Sequence, residues 1–293
     1  MSGVLWATVS GIGFGLFQSL NRRAIRGIDD PYVSTFLQLF VGTLILVVAS
    51  LATEDLGQLG NASDGAIALF AVAGVIHFVL GWLFLNMSQA RIGAARTAPL
   101  ITLAPLFGVV LAAVTLGELP SALALVAIVP MMAGAWLLAS RGAGQTRVDR
   151  DSLFAVATAF CWALSAVLTV EALEGLDSPL LGITLGLLAA TAALGGGLVA
   201  RGSFATVRVI ARGALSLKVF AAALLAFATW FRLLGLAETE VANVLALNLI
   251  AVPITMTLAP LLVGAHVEQV TARVWLGGVL VIGGALGLIG AGG

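Results

Sequence analysis

The chain has 293 residues, 60% hydrophobic and only 10% charged, with 14 Lys and Arg against 14 Asp and Glu for a formal net charge of zero. A mean hydropathy of +1.12 leaves too few polar groups to coat a water-soluble surface, which excludes a soluble globular enzyme and implies a lipid bilayer as the surrounding solvent. No basic excess marks the chain for nucleic acid, and no such partner is expected.

The first apolar segment, 3–21, follows only Met1 and Ser2, has no basic region before it and is too long for a signal-peptide core, so it reads as a helix of the mature protein. Its Gly11-Ile12-Gly13-Phe14-Gly15 run has neither the strand-to-helix setting nor the final spacing of a dinucleotide loop, so no nucleotide cofactor is expected. Gly11 and Gly15, like Gly182 and Gly186 later, instead thin one helix face for close packing. Segments 33–53, 66–86, 92–116 and 121–140 follow, each near the length of about 20 residues that crosses a hydrocarbon core. Asn61-Ala62-Ser63, in the 54–65 connection, fits a glycosylation pattern that any three residues can match by coincidence. The stretch from Arg141 to Asp151 mixes small and charged residues as a hinge does, which divides the chain into halves at 1–140 and 152–293 with a linker at 141–151. Beyond it lie 152–172, 179–200, 216–236, 240–264 and 270–291, for about ten spans in all. The single cysteine, Cys161, has no disulfide partner in the chain and is read as core packing.

Two copies of one phrase tie the halves together. Gly27-Ile28-Asp29-Asp30-Pro31 and Gly175-Leu176-Asp177-Ser178-Pro179 lie 148 residues apart, and Pro105 and Pro253 keep the same spacing inside apolar segments. That period is far longer than the roughly 20 to 50 residues of solenoid and propeller repeats, and points to a duplicated membrane unit of the kind found in secondary transporters. Thirteen of the 14 Lys and Arg residues, all but Arg232, fall in or beside the connections after segments one, three, five, seven and nine. By the positive-inside rule both termini then face outward. Each half holds five segments, an odd number, so the second half enters the membrane upside down relative to the first.

The fourth-segment stretch Ala90-Arg91-Ile92-Gly93-Ala94-Ala95-Arg96-Thr97-Ala98-Pro99-Leu100 continuing to Leu103-Ala104-Pro105-Leu106, the Leu116-Gly117-Glu118 element before a fifth segment bearing Gly134, and Ala237-Glu238-Thr239-Glu240-Val241-Ala242-Asn243 continuing to Val252-Pro253 carry a resemblance. Together with the duplication, the chain resembles the drug/metabolite transporter superfamily, in its ten-helix EamA-type branch, over essentially its whole length. The resemblance implies an all-α fold and export or exchange of small metabolites, often amino acids, through a cavity between helices one, three, four, six, eight and nine. The chain departs from the family in two respects. Leu-Gly-Glu becomes Val263-Gly264-Ala265 in the second half with Glu268 displaced, so no role carries over to that glutamate. Family members are commonly drawn with cytoplasmic termini, against the charge distribution here.

Enzyme chemistry finds no foothold. His77 and His266 lack a metal-ligand spacing, neither a His-Glu-x-x-His nor a Gly-x-Ser-x-Gly element occurs, and no span carries a carboxylate near its centre, so neither catalysis nor a metal is expected. Intramembrane polar and aromatic groups are costly and face a bundle interior or cavity. At mid-depth these are His77, Thr102, Trp162, Ser165, Phe227, Trp230, Asn248 and Thr255, a set suited to an amphipathic or apolar small molecule. Two gating sets flank it. Gln18, Asn21, Gln38, Asn86 and Arg96 lie toward the basic end, and Glu171, Arg232 and Asn243 toward the other, where Arg232 is expected to pair with Glu171 in the outward-closed state. Transport is then facilitative or coupled through His77, in a monomer or homodimer of a bacterial inner membrane. A membrane sensor or structural subunit without transport is the alternative, and substrate flux in vesicles separates the two.

A reporter active only in the cytoplasm tests the orientation. Fused after Gly293 it is expected to stay silent, and inserted within 142–149 to be strongly active; the reverse pattern overturns the charge argument.

Overall fold

The structure, a computed structural model, describes residues 2–115, 121–140, 149–203 and 210–291. Leu116-Gly117-Glu118, Arg208 and all but the last three residues of the 141–151 linker lie outside them. Among the described residues, ten helices are long and apolar enough to cross a membrane: α1 (Gly3–Ile25), α2 (Pro31–Thr53), α3 (Asp64–Ile92), α4 (Ala94–Leu111), α5 (Ala122–Ala139), α6 (Arg150–Leu173), α7 (Pro179–Ala200), α8 (Arg212–Glu238), α9 (Asn243–Val263) and α10 (Ala272–Gly290). The described residues hold no strand, and the chain is an all-α, multi-pass integral membrane protein.

The repeated phrase is a helix-start signal. Asp30 caps α2 by accepting from the Tyr32 and Val33 amides at 2.8 and 3.4 Å, and Ser178 caps α7 by accepting from the Leu181 amide at 3.2 Å. In both copies a proline follows at the first helical position, where its missing N–H costs nothing and its fixed φ suits the turn. The central prolines have the opposite effect. Pro105 and Pro253 cannot donate to the carbonyl four residues back, and the helix breaks in the turn before each, at Thr102–Leu103 in α4 and at Leu249–Ile250 in α9. Pro99 and Pro260, the second prolines of these two helices, sit inside continuous helix. In α3 the backbone loosens into a π-helix over Val75–Gly81, which contains His77.

Helix pairing follows the 148-residue spacing. α1 packs along α8 and α9, its counterpart α6 packs along α3 and α4, α2 lies on α7, and α5 on α10. Thr43 and Thr191, themselves 148 apart, share a hydrogen bond of 2.7 Å between α2 and α7. The group α1, α8 and α9 meets the group α3, α4 and α6 mainly through one end. There α1 packs on Trp82–Ile92 and Ala94–Ile101, and the Ala251–Val263 half of α9 packs on Ala94–Ile101. That is the end carrying the basic connections, called the basic end below.

Bare backbone makes the tightest crossing. A Cβ added to Gly74 of α3 would collide with the Gly186 backbone of α7, whereas one on Gly196 would meet nothing within 4 Å. Gly74→Ala is expected to destabilise the detergent-solubilised protein by about 1–3 kcal/mol, the usual cost of overpacking, and Gly196→Ala to leave its thermal unfolding unchanged.

Candidate functional site

Between the two helix groups, α3 and α6 build an aromatic and polar wall. His77 Nδ1 lies 2.8 Å from Ser165 Oγ, which in turn donates to the Trp162 carbonyl at 2.9 Å. The imidazole stacks on Trp162 at 5.5 Å between centroids and meets the edge of Phe78 at 4.5 Å. Gly81 makes room for the indole, since a Cβ there would sit 2.8 Å from Trp162 Nε1. Across the gap α8 brings Arg232 close enough for its charge to act on His77. Two N–H donors here, Trp162 Nε1 and Arg232 Nε, are sequestered without a hydrogen-bond partner. Buried donors are normally satisfied, and each orphan marks a place where an acceptor is missing.

The basic end is closed by polar contacts. Lys218 of α8 is fully buried, and its Nζ donates to Asn21 Oδ1 at 2.5 Å, Gln38 Oε1 at 2.9 Å and Asn86 Oδ1 at 3.4 Å, from α1, α2 and α3. Asn21 Nδ2 donates to Asn86 and Gln89 at 2.9 and 2.8 Å, Gln89 to Gln18 at 3.4 Å, and Asn86 to Thr35 at 2.9 Å. Beside this cage Arg22 Nε meets Glu268 Oε1 at 2.6 Å, and the other carboxylate oxygen accepts from the Ala95 amide at 3.3 Å. Gly93, at φ 85°, turns α3 into α4 directly against that carboxylate, a position where a side chain would be both strained and blocked.

The structure groups the sequence candidates in part. His77, Trp162 and Ser165 converge on one wall, within range of the Arg232 charge. Trp230 packs partly buried against the core with its ring stacked on Phe231, while Phe227 is exposed and stacks on the same ring. Asn248 and Thr255 serve the α1–α9 seam: Asn248 accepts from Ser10 at 3.0 Å, and Thr255 donates to the carbonyls of Ala251 and Gly15 at 2.8 and 3.3 Å. Thr102 donates to the Pro99 carbonyl at 2.7 Å, inside the α4 break. Gln18, Asn21, Gln38 and Asn86 do form one cluster. Arg96 instead reaches the end of α5, donating from Nε to the Leu138 carbonyl at 2.9 Å. Glu171 is exposed, Asn243 is exposed and donates to Thr239 at 3.4 Å, and no ion pair among the described residues joins Glu171 to Arg232.

Sequence reading missed the centre of the cage. Lys218 was counted with the basic connection because segment eight was begun at 216; the helix starts at Arg212 and carries the lysine about 9 Å inside. The available signal was a lone cation followed by Val219 and Phe220. Gln89 falls in the connection between segments 66–86 and 92–116, Thr35 at the start of 33–53, and Glu268 where no motif assigns it.

Residues 1–140 match the EamA-like transporter family. Curated relatives include the chloroplastic phosphoenolpyruvate/phosphate translocator 1 of Arabidopsis thaliana, 30% identical over 40% of this chain and 28% of that protein. A chloroplastic triose phosphate/phosphate translocator of non-green plastids from Brassica oleracea var. botrytis is 28% identical over 40% of this chain and 29% of its own length. An uncharacterised transporter of Bacillus subtilis (strain 168) is 27% identical over 51% of this chain and 46% of its own. The match thus spans less than half of each of these proteins. One crystal structure shares the fold across 96% of this chain and 95% of its own, with a TM-score of 0.57 at 20% identity.

The Arg22–Glu268 pair offers a direct test of how the basic end is held. With side-chain exposures of 9% and 1% it is a buried pair, and removing one partner leaves a charge stranded. Glu268→Gln is expected to cost about 3–5 kcal/mol in unfolding free energy, and the double change Arg22→Gln with Glu268→Gln to recover a large part of it, as read by a double-mutant cycle.

Proposed function

We propose that this chain, which belongs through residues 1–140 to the EamA-like transporter family, is a secondary carrier that moves small metabolites bearing a carboxylate or phosphate group by alternating access. The observation that carries the substrate class is Arg232. Its Nε is sequestered and unpartnered, its charge reaches His77, and Trp162, stacked on that imidazole, carries a second orphan donor. A guanidinium held this way favours a charge-assisted acceptor and presents a planar fork suited to a carboxylate or phosphate. The aromatic faces of Trp162, His77 and Trp230 then suit the apolar body of the molecule. The names of the plastid relatives, which couple phosphoenolpyruvate or triose phosphate to phosphate, agree with an anionic cargo.

The alternation draws on the duplicated architecture. The 148-residue spacing of helix pairs and the Thr43–Thr191 contact support two inverted five-helix halves, 1–140 and 152–293, related by an axis between α2 and α7. In this conformation the basic end is shut by the Lys218 cage and the Arg22–Glu268 pair, and the group α1, α8 and α9 has its main contact with the opposing group there. Opening that end while the far end closes moves the site from one side of the membrane to the other. The breaks at Thr102–Leu103 and Leu249–Ile250 place the bends of α4 and α9 beside this path. By the charge distribution the basic end is cytoplasmic.

Counterflow in proteoliposomes checks the reading. With inorganic phosphate, phosphoenolpyruvate, leucine and leucinamide as the panel, the compounds carrying an anionic group are expected to exchange and leucinamide is not. Arg232→Gln should cut exchange by about tenfold or more, the loss of one charge-assisted hydrogen bond. Exchange of leucinamide as fast as leucine, with no exchange of either phosphate compound, would sink the anionic reading.

A further inference from the structure

We propose that Lys218, together with Ser34 and Gln38 of α2, forms a second binding site for a small carboxylate or phosphate, entered from the basic end. The inference rests on the reading of the chain as a carrier of anionic metabolites and adds to it a separate station for the anion.

The first ground is the state of Lys218. Its three oxygen contacts, to Asn21, Gln38 and Asn86, account for all three hydrogens of an ammonium group. Every one of those oxygens belongs to a neutral carboxamide. The acids nearest in the fold are otherwise placed: Glu268 is paired with Arg22, and Asp29 is exposed on the loop after α1. Asp30 caps α2, and Asp64 and Glu238 lie at the far ends of α3 and α8. The other charged groups at this end are cations, Arg22, Arg23 and Arg26 on and after α1, Arg91 at the end of α3 and Arg212 at the start of α8. A buried cation without a counter-charge carries a desolvation cost that neutral dipoles only partly offset, and an anion is its natural complement.

The second ground is a pair of unused donors beside it. Ser34 Oγ and Gln38 Nε2 are buried and have no hydrogen-bond partner. They stand four residues apart on α2, hence on one face of the helix. Gln38 already accepts from Lys218 through Oε1, so its free N–H lies on the same carboxamide that touches the ammonium. The Asn21 and Asn86 amides can rotate to present N–H groups in place of oxygens once an anion takes over the lysine.

The third ground is access. A cavity of about 200 Å³ has Ser34 and Asn86 in its wall, with Ile28, Pro31 and Met87 around it and Asp29 and Arg91 among its exposed lining residues. Arg91 is held by Asp151 at 2.7 Å and stacks over Phe154, so it stands beside the opening without filling the cavity. The cavity reaches Ser34 and Asn86; Gln38, one turn further along α2, and Lys218, bonded to Gln38 and Asn86, lie buried outside its wall.

Helix eight links this station to the other. Lys218 lies six residues from the start of α8 and Arg232 six from its end. Their separation of 14 residues is about 21 Å along the axis, and at about 100° per residue it returns to nearly the same side of the helix. Besides Arg212 at its first residue, this helix thus carries two cations without a carboxylate partner among the described residues, one at each station.

Calorimetric titration of the purified full-length carrier with inorganic phosphate, at constant ionic strength and in an Arg232→Gln background that removes the other station, tests the site. The expected result is saturable binding that Ser34→Ala weakens about tenfold and Lys218→Met abolishes, with both variants eluting as the same species as the parent. Absence of phosphate binding in the Arg232→Gln background, or an affinity unchanged by both Ser34→Ala and Lys218→Met, overturns the proposal. If anion counterflow by the wild-type carrier persists in that event, the carrier reading stands and only this station is lost. Binding at this station with no counterflow of any anion separates the two in the opposite direction.

Discussion

The burial of one ammonium group organises this protein. Lys218 sits where α1, α2, α3 and α8 converge, and each of the first three contributes a carboxamide oxygen to it. Three of those helices come from the first half of the chain and one from the second, so the cage is also the place where the halves are fastened at the basic end. A neutral residue in the same place would pack, but it would not require Asn21, Gln38 and Asn86 to turn inward. The cage is a polar network, and such networks specify one arrangement only when every member is satisfied. Here two donors, Ser34 Oγ and Gln38 Nε2, are left over. That leaves the closed end an arrangement with something still to gain, which suits the opening that the proposed alternating access requires.

The contrast with the Arg22–Glu268 pair is instructive. That pair is charge-matched, and it adds a backbone amide from Ala95 and the close approach of Gly93. It joins α1, the α3–α4 junction and the segment after α9, so separating the two helix groups at the basic end has to break it. A buried pair that exchanges its partners for water on opening regains hydration as it loses Coulomb energy, which keeps the difference between closed and open states small. The cage and the pair therefore do different work: the pair closes, and the cage closes while holding a charge available.

Much of the fold was legible because its signals are periodic or repeated. Ten apolar runs give ten spans, and the Gly-x-Asp-x-Pro phrase gives helix starts because Asp30 or Ser178 caps and Pro31 or Pro179 begins the helix. The breaks in α4 and α9 follow from Pro105 and Pro253, which leave the carbonyl four residues earlier without its donor. Pro99 and Pro260 read the same way in sequence but stay helical, since only the surroundings decide whether a helix absorbs a proline. The site was less legible for a reason of boundaries. Lys218 two residues inside a segment is indistinguishable from a snorkelling flank, and six residues inside it is a buried charge; the four residues between Arg212 and Ser216 made the difference. Glu268 was unreadable for another reason. Its partner lies 246 positions away, and no local pattern encodes that contact.

Helix eight draws these strands together. An apolar helix of 27 residues that carries a cation six residues from each end has two places where its surroundings must supply negative charge or donate oxygen dipoles. At the basic end, carboxamides supply the dipoles. At the other end, Arg232 has His77, Trp162 and the exposed margin of the bundle, and no acceptor for its Nε among the described residues. In this conformation the two ends are therefore unequal: one cation is solvated by protein and the other is not. An anion arriving at Arg232 meets less competition than one arriving at Lys218, which must displace three carboxamide oxygens. In the proposed alternating-access cycle, opening the basic end would part Asn21 on α1 from Asn86 on α3 and so lower the competition for an anion at Lys218 as access shifts to that side. The asymmetry that a carrier needs between its two faces can thus arise from one helix and two cations, with protein dipoles standing in for the substrate at whichever end is shut.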